Sequence, residues 1–311
     1  MASFFDAVNA EDVTKFFELG AKVDEIRNFD FFNFRPLDYA CYTGNYKVAD
    51  ALINYGADLD GKLYPHDLHP PISWACEGGY VKIVERLVNA GSIVEFRSYE
   101  YDPLIIATDK EHIDVIDYLL SIGVNPNGLD DCDETPLIVA CGRSSVDAVD
   151  RLLAAGADVD CNKSGETVLI NACYRLNVEI VDRLLCHGAN PNIDFNKVTT
   201  TPLLASLTVD ISEDPEMTQN FTELELTNKR RVIVEKLLGM TADPNQFDRN
   251  KYYSPLHRAA SQDDLEIVKM LVEYGADVTT RDYRGRKPSE ITKNPEIIDF
   301  LTKVENEQST F

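Results

Sequence analysis

The sequence predicts an all-α fold, a solenoid of stacked helix pairs, and three recurrences carry that expectation. Proline stands at Pro36, Pro71, Pro103, Pro136, Pro202, Pro255 and Pro288, with Val168 in the same register, at gaps of 35, 32, 33, 32, 34, 53 and 33 residues. Glycine closes each unit at Gly20, Gly56, Gly91, Gly123, Gly156, Gly188 and Gly275, with Thr241 in that register. Between the two runs an apolar ladder, such as Val149 with Leu152 and Leu153 or Val181 with Leu184 and Leu185, which forms a stripe on one helix face. A period of this size marks a repeat architecture, in which no unit buries its own apolar face and stacking supplies the core.

Each part of the unit has a physical reason. Proline fits the first turn of an inner helix, where its missing N–H has no intrahelical partner. The small residue four places later (Ala40, Ala75, Ala107, Ala140, Ala172, Ala259) lets that helix approach its neighbour. Glycine ends the outer helix in a left-handed conformation. The first unit (Phe4, Phe5, Val13, Phe16, Phe17) lacks the proline entry, and the last (Lys287-Pro-Ser-Glu to Ile297-Ile-Asp-Phe-Leu) stops at its second helix, so both read as caps around seven full repeats. One domain over 1–303 is expected, followed by a flexible tail at 304–311. The 53-residue gap places an acidic insertion at 209–228. It reads as a flexible appendage with a helical piece near 221–228, after which Lys229-Arg-Arg opens the outer helix.

Thr135 to Asp160 (TPLIVACGRSSVDAVDRLLAAGADVD) and Ser254 to Thr279 (SPLHRAASQDDLEIVKMLVEYGADVT) agree at Pro-Leu, at the small residue, at the Val/Leu ladder and at Gly-Ala-Asp. This pattern resembles the ankyrin repeat, and the resemblance runs from about Ser3 to Lys303. It implies an ankyrin-repeat solenoid whose helix pairs are joined by hairpin-like fingers. It also implies that Cys41, Cys76, Cys141 and Cys173 occupy buried alanine positions, and that His257 ties its turn to the neighbouring finger.

The same resemblance implies a protein partner lying along the concave side, against the fingers and the exposed face of the inner helices. Carried over by register, the candidate contact residues are Phe31, Phe32, Phe34 and Tyr42, then His66, Asp67 and His69, then Tyr99 and Tyr101. Asp131 and Glu134 follow, then Tyr174 and Arg175, then Tyr253. The series begins aromatic, becomes acidic at Asp130 to Glu134, and turns basic at Lys251, Arg284 and Arg286. Exposed aromatic clusters mark interfaces, so the phenylalanine finger is the first expectation. An aromatic cage for a small ligand or modified peptide, built from Phe31, Phe32, Phe34 and Tyr42, is the alternative. An enzyme with a cryptic site ranks below it.

With 53 acidic against 30 basic residues the formal charge is -23, which repels phosphate backbones and anionic membranes. The expected partner is a protein with a basic and apolar surface, bound by a monomer, and neither nucleic acid nor membrane. Seven scattered cysteines form no disulfide framework and point to a reducing compartment, the cytoplasm. No cofactor or metal is expected. Gly56 to Lys62 has a phosphate-loop skeleton, but Leu63 stands where Ser or Thr must hold magnesium. The cysteines have no zinc spacing, and Asp158 to Asn162 lacks the glycine of a calcium loop. His66 and His69 flank Asp67 at a polar finger tip. No catalytic motif occurs, and the five histidines are dispersed along the chain. The final Ser309-Thr310-Phe311 has the form of a PDZ ligand.

Overall fold

The computed structural model describes residues 27–29, 32–60, 69–96, 102–163, 166–192, 200–208, 222–247 and 253–308. The chain is an all-α solenoid that divides into two compact units, residues 1–158 and 159–311. The first unit opens on a short antiparallel ribbon of β1 (Arg27–Phe29) and β2 (Phe32–Phe34). Four helix pairs follow: α1 (Pro36–Tyr42) with α2 (Tyr46–Asn54), α3 (Pro71–Glu77) with α4 (Val81–Asn89), α5 (Pro103–Asp109) with α6 (Ile113–Ser121), and α7 (Pro136–Arg143) with α8 (Val146–Ala154). The second unit carries β3 (Asn162–Lys163) and β4 (Glu166–Thr167). Its pairs are α9 (Val168–Tyr174) with α10 (Val178–Cys186), α11 (Pro202–Thr208) with α12 (Glu223–Gly239), and α13 (Pro255–Ser261) with α14 (Leu265–Glu273). A single 3-10 turn (Pro288–Glu290) and α15 (Pro295–Gln308) close it.

Within each unit inner helices stack on inner helices and outer on outer. The alanines four after each proline are fully buried, as are Val149, Leu152, Val181 and Leu184. Inner helices start on a side-chain cap: Thr135, Thr167, Thr201 and Ser254 each accept the N–H three residues on. The described unit-closing glycines, Gly56 to Gly275, lie at positive φ, and Thr241 takes the same left-handed place at φ 65. A β-branched residue there is sterically unfavourable, so the repeat geometry overrides the local preference.

Two ladders bind successive repeats. The residue four after each closing glycine accepts a backbone N–H from the next repeat: Asp60 from Ile93, Glu95 from Asn125, Asn127 from Asp158, Asp160 from Asn190, Asn192 from Asp243, and Asn245 from Asp277. Where that residue is asparagine its amide also donates to the carbonyl of Gly156, Thr241 or Gly275. An aspartate can only accept there, so asparagine adds a second bond per junction. On the outer helices an acid pairs with a base of the next repeat: Asp50 with Arg86, Asp117 with Arg151, and Asp182 with Lys236.

The insertion corrects one expectation. Helix α12 begins at Glu223, not at Lys229. Thr222 and Glu225 form a capping box, and Leu226 is buried, so the helical piece expected near 221–228 is the first part of the outer helix itself. Residues 209–221 and the tail at 309–311 lie outside the described residues.

Candidate protein-binding surfaces

In the repeats at Pro36, Pro71 and Pro255 the finger residue two before the proline meets the helix residue three after it. In the first unit these are Phe34 and Tyr39, with Trp74 from the next repeat. The Phe34 ring lies 5.6 Å from Tyr39, 5.4 Å from Tyr42 and 5.1 Å from Trp74, and Tyr42 meets Trp74 edge-on at 5.5 Å. His69 stacks on Trp74 at 4.7 Å.

This overturns the exposure expected of Phe34, which is 1% exposed. Its ring is drawn inward because three aromatic neighbours offer more buried area than water does. Tyr42 remains accessible at 46%, and His69 is half-buried. Phe34, Tyr42 and Trp74 touch one another, so no cation fits between these three and they form a wall. Phe32 lies in β2. Phe31, His66, Asp67, Tyr99 and Tyr101 fall outside the described residues.

Beneath the wall lies an ion pair absent from the sequence reading. Arg35 and Asp38 stand where Ser254 and His257 stand in Ser-Pro-Leu-His. The Arg35 guanidinium is fully buried and donates to Asp38 through Nε and Nη2, both at 2.8 Å, and through Nη1 to the Asp58 carbonyl and carboxylate at 3.2 Å. Ser254 and His257 solve the same problem without charge. The Ser254 hydroxyl lies 2.7 Å from His257 Nδ1, and His257 Nε2 donates to the Arg286 carbonyl at 3.0 Å, the link to the neighbouring finger that the resemblance implied. Burial holds the His257 pKa below its ordinary value, although the Arg286 carbonyl works in the other direction.

Two fingers share one turn and differ in one side chain. Asp130 Oδ1 accepts the N–H groups of Cys132 and Glu134 at 2.8 and 2.7 Å, and Asp282 Oδ1 accepts those of Arg284 and Arg286 at 2.8 and 2.9 Å. In the second finger Arg286 also reaches Asp282 Oδ2, through Nε at 3.0 Å and Nη2 at 2.8 Å. In the first, Glu134 occupies that place. Buried Asp130 Oδ2 has no hydrogen-bond partner among the described residues. The turn Asp130-Asp131-Cys132-Asp133-Glu134 carries four acids and no base. One potential ligand atom each from Asp130, Asp131 and Cys132 lies within 4.8 Å of the others, but Asp131 and Cys132 are exposed and acidic turns commonly bring such atoms together without a metal.

In the second unit Tyr174 is half-buried, and Arg175 is exposed with its Nε bonded to Asn171 at 3.1 Å. Tyr253 is half-buried between Arg258, whose guanidinium carbon lies 5.1 Å from the ring centre, and Tyr283, which it meets edge-on at 5.9 Å. Arg284 in turn lies 5.0 Å from the Tyr283 ring. The cysteines of the inner helices are core. Cys41, Cys76, Cys141 and Cys173 are buried, and burial drives the thiol pKa of Cys41, Cys76 and Cys173 upward, away from reactivity. Cys161 is buried as well, whereas Cys132 and Cys186 are exposed.

Comparison with known proteins decides the family. Family profiles described as "Ankyrin repeats (3 copies)" match residues 61–130 and 122–194, and profiles described as "Ankyrin repeat" match 32–61 and 251–283. The chain belongs to the ankyrin-repeat family. An ankyrin repeat-containing protein of Schizosaccharomyces pombe, P1E11.10, is 35% identical over 78 residues, 25% of this chain and 37% of that protein. Ankyrin repeat and SOCS box protein 5 of Oryctolagus cuniculus is 28% identical over 100 residues, 32% of this chain and 30% of that protein. The chain spans less than half the length of the curated relatives it matches. The crystal structure of the ankyrin repeat domain of Bcl-3 superposes with a TM-score of 0.59 at 21% identity, covering 86% of this chain and 98% of that one, a likeness of fold. Ankyrin repeats are protein–protein interaction modules, and members of the family are generally non-enzymatic.

Proposed function

We propose that this ankyrin-repeat chain is a non-catalytic adaptor, inhibitor or scaffold that binds a basic segment of a partner protein along the fingers and inner helices. The observation that carries the reading is the finger at Asp130 to Glu134. Its twin at Asp282 to Arg286 neutralises the same carboxylate with its own arginine, whereas the first finger leaves Asp130 Oδ2 unmatched beneath an exposed acidic tip. A partner arginine or lysine supplies the missing charge. In the same unit Tyr42, accessible and backed by Trp74, offers an apolar contact of the kind that anchors interfaces.

The net charge of -23 favours such a partner over nucleic acid or an anionic membrane surface. Among the described residues no helix is long and apolar enough to cross a membrane. The chain acts as a monomer in the cytoplasm, where its cysteines stay reduced. Affinity purification with mass spectrometry tests the proposal, comparing wild type with Asp131→Lys/Glu134→Lys and with Tyr42→Ala. Loss of a partner rich in Arg and Lys from the charge-reversed variant, with melting unchanged, is the expected result. Retention of the same partners by both variants overturns it.

A further inference from the structure

The second unit carries a surface of the opposite sign. Arg258, Tyr253, Tyr283 and Arg284 form one continuous stack, at successive steps of 5.1, 5.9 and 5.0 Å. Among the described residues several arginines are committed to carboxylates: Arg86 to Asp50, Arg151 to Asp117, Arg231 to Asp264 and Arg286 to Asp282. Arg258 and Arg284 are not. Among the described residues neither has a carboxylate within salt-bridge distance, and the Arg258 Nε has no hydrogen-bond partner. Each is held instead over a tyrosine ring, which fixes the guanidinium plane before any ligand arrives. Tyr283 is 52% exposed and Arg284 is exposed beside it, so the outer end of the stack is open to a partner.

We propose that this stack is a second binding surface, which takes an extended acidic peptide segment bearing two carboxylates. The three successive steps set an upper bound on the separation of the two guanidinium groups. An extended peptide rises about 3.3 Å per residue, so two acids up to about five positions apart fit within that bound. Each guanidinium donates two hydrogen bonds to one carboxylate, the bidentate pairing for which arginine is suited, and the tyrosine rings receive the apolar residues between. The surface is independent of the Asp130 turn, which attracts the opposite charge.

The test uses the full chain and fluorescein-labelled peptides in anisotropy titrations at 50 and 150 mM salt. The main probe is a nine-residue Gly/Ser/Leu peptide with two glutamates at positions i and i+4. The others carry the two glutamates adjacent, or a single phosphoserine. The spaced peptide is expected to bind at least about fivefold more tightly than the adjacent one, since each charge-assisted contact contributes about 1.5–3 kcal/mol, the equivalent of about ten-fold or more. Arg258→Gln and Arg284→Gln each lose about ten-fold, and Tyr283→Leu loses affinity because Arg284 is no longer held. Melting curves of the three variants confirm that they fold. The proposal is overturned if no peptide binds, if spaced and adjacent peptides bind equally, if the phosphoserine peptide binds best, or if Arg258→Gln/Arg284→Gln binds like wild type.

Discussion

Replacing Phe34 by alanine separates a core ring from an interface ring, because the two roles predict opposite results. The side chain is 1% exposed and touches three aromatic rings, at centroid distances of 5.1 to 5.6 Å. Truncating a buried phenylalanine costs about 3–5 kcal/mol, and the lost aromatic contacts place this site toward the middle or top of that range. Repeat arrays unfold by neighbouring units, so a local reporter is needed. The chain provides one, since Trp74 is its only tryptophan and lies against Phe34. Urea titration followed by Trp74 fluorescence should show the midpoint falling by about 2 M, given a loss near 4 kcal/mol and a slope of about 2 kcal/mol per M. The folded-state emission should also shift to the red as water reaches the indole. Tyr42→Ala, at a half-exposed ring, should lose only about 1–1.5 kcal/mol. A midpoint shift below about 0.3 M for Phe34→Ala, with unchanged emission, refutes the core assignment and restores the ring to the partner.

Two further expectations concern the Pro-Leu turns. Arg35→Thr removes the guanidinium from a buried Asp38 carboxylate, costing about 3–5 kcal/mol, and Asp38→His removes the bidentate partner of a buried guanidinium that keeps Asp58, costing somewhat less. The double variant, which recreates the neutral pattern of Ser254 and His257, should recover at least about 2 kcal/mol relative to the sum, and strict additivity in the urea titration would count against the pairing. His257 is buried and its pKa is depressed below 6.5, so as pH falls through 6.5 the unfolded chain takes up the proton first and the second unit loses stability. One such proton gives at most about 1.4 kcal/mol per pH unit. Hydrogen exchange of residues 254–290 should therefore quicken between pH 6.5 and 5 beyond its intrinsic pH dependence. His257→Gln should remove that part of the change, and an identical profile in the variant excludes the histidine as its cause.

The repeat register made the fold legible, down to Thr241 in a glycine's place and His257 as a tie between turns. The side chains facing the fingers were less legible, for a physical reason. Register says that the residue two before the proline sits at the finger base, but not whether its ring turns outward or inward. Phe34 turns inward because Tyr39 and Trp74 stand three places after the prolines of its own repeat and the next, a coincidence visible only when two repeats are read together. Trp74, as the sole tryptophan, was the available signal. The Arg35–Asp38 pair was hidden because Arg-Pro-Leu-Asp reads as a departure from Thr-Pro-Leu-His, although the same two positions again pair side chain to side chain, now with charge. The Asn and Asp ladder recurs in sequence as the last residue of Gly-Ala-Asp-x-Asp and Gly-Ala-Asn-Pro-Asn. Its partners are carbonyls and N–H groups of the next repeat, which no side-chain pattern announces.

The same two register positions serve different ends in different repeats. Two before and three after the proline, the first repeat places Phe34 and Tyr39, and the repeat at Pro255 places Tyr253 and Arg258. A ring over a ring closes the site with apolar area and leaves only a rim such as Tyr42 for a partner. A ring under a guanidinium leaves a charge that the tyrosine orients but does not neutralise, since a cation–π contact gives about 0.5–1 kcal/mol where exposed, against about 1.5–3 kcal/mol for a hydrogen bond to a charged group. The backbone scaffold is therefore indifferent to the sign of the partner. Single residues at fixed register positions set it, and Glu134 against Arg286 is the clearest case: one turn, one carboxylate, and opposite demands on whatever binds.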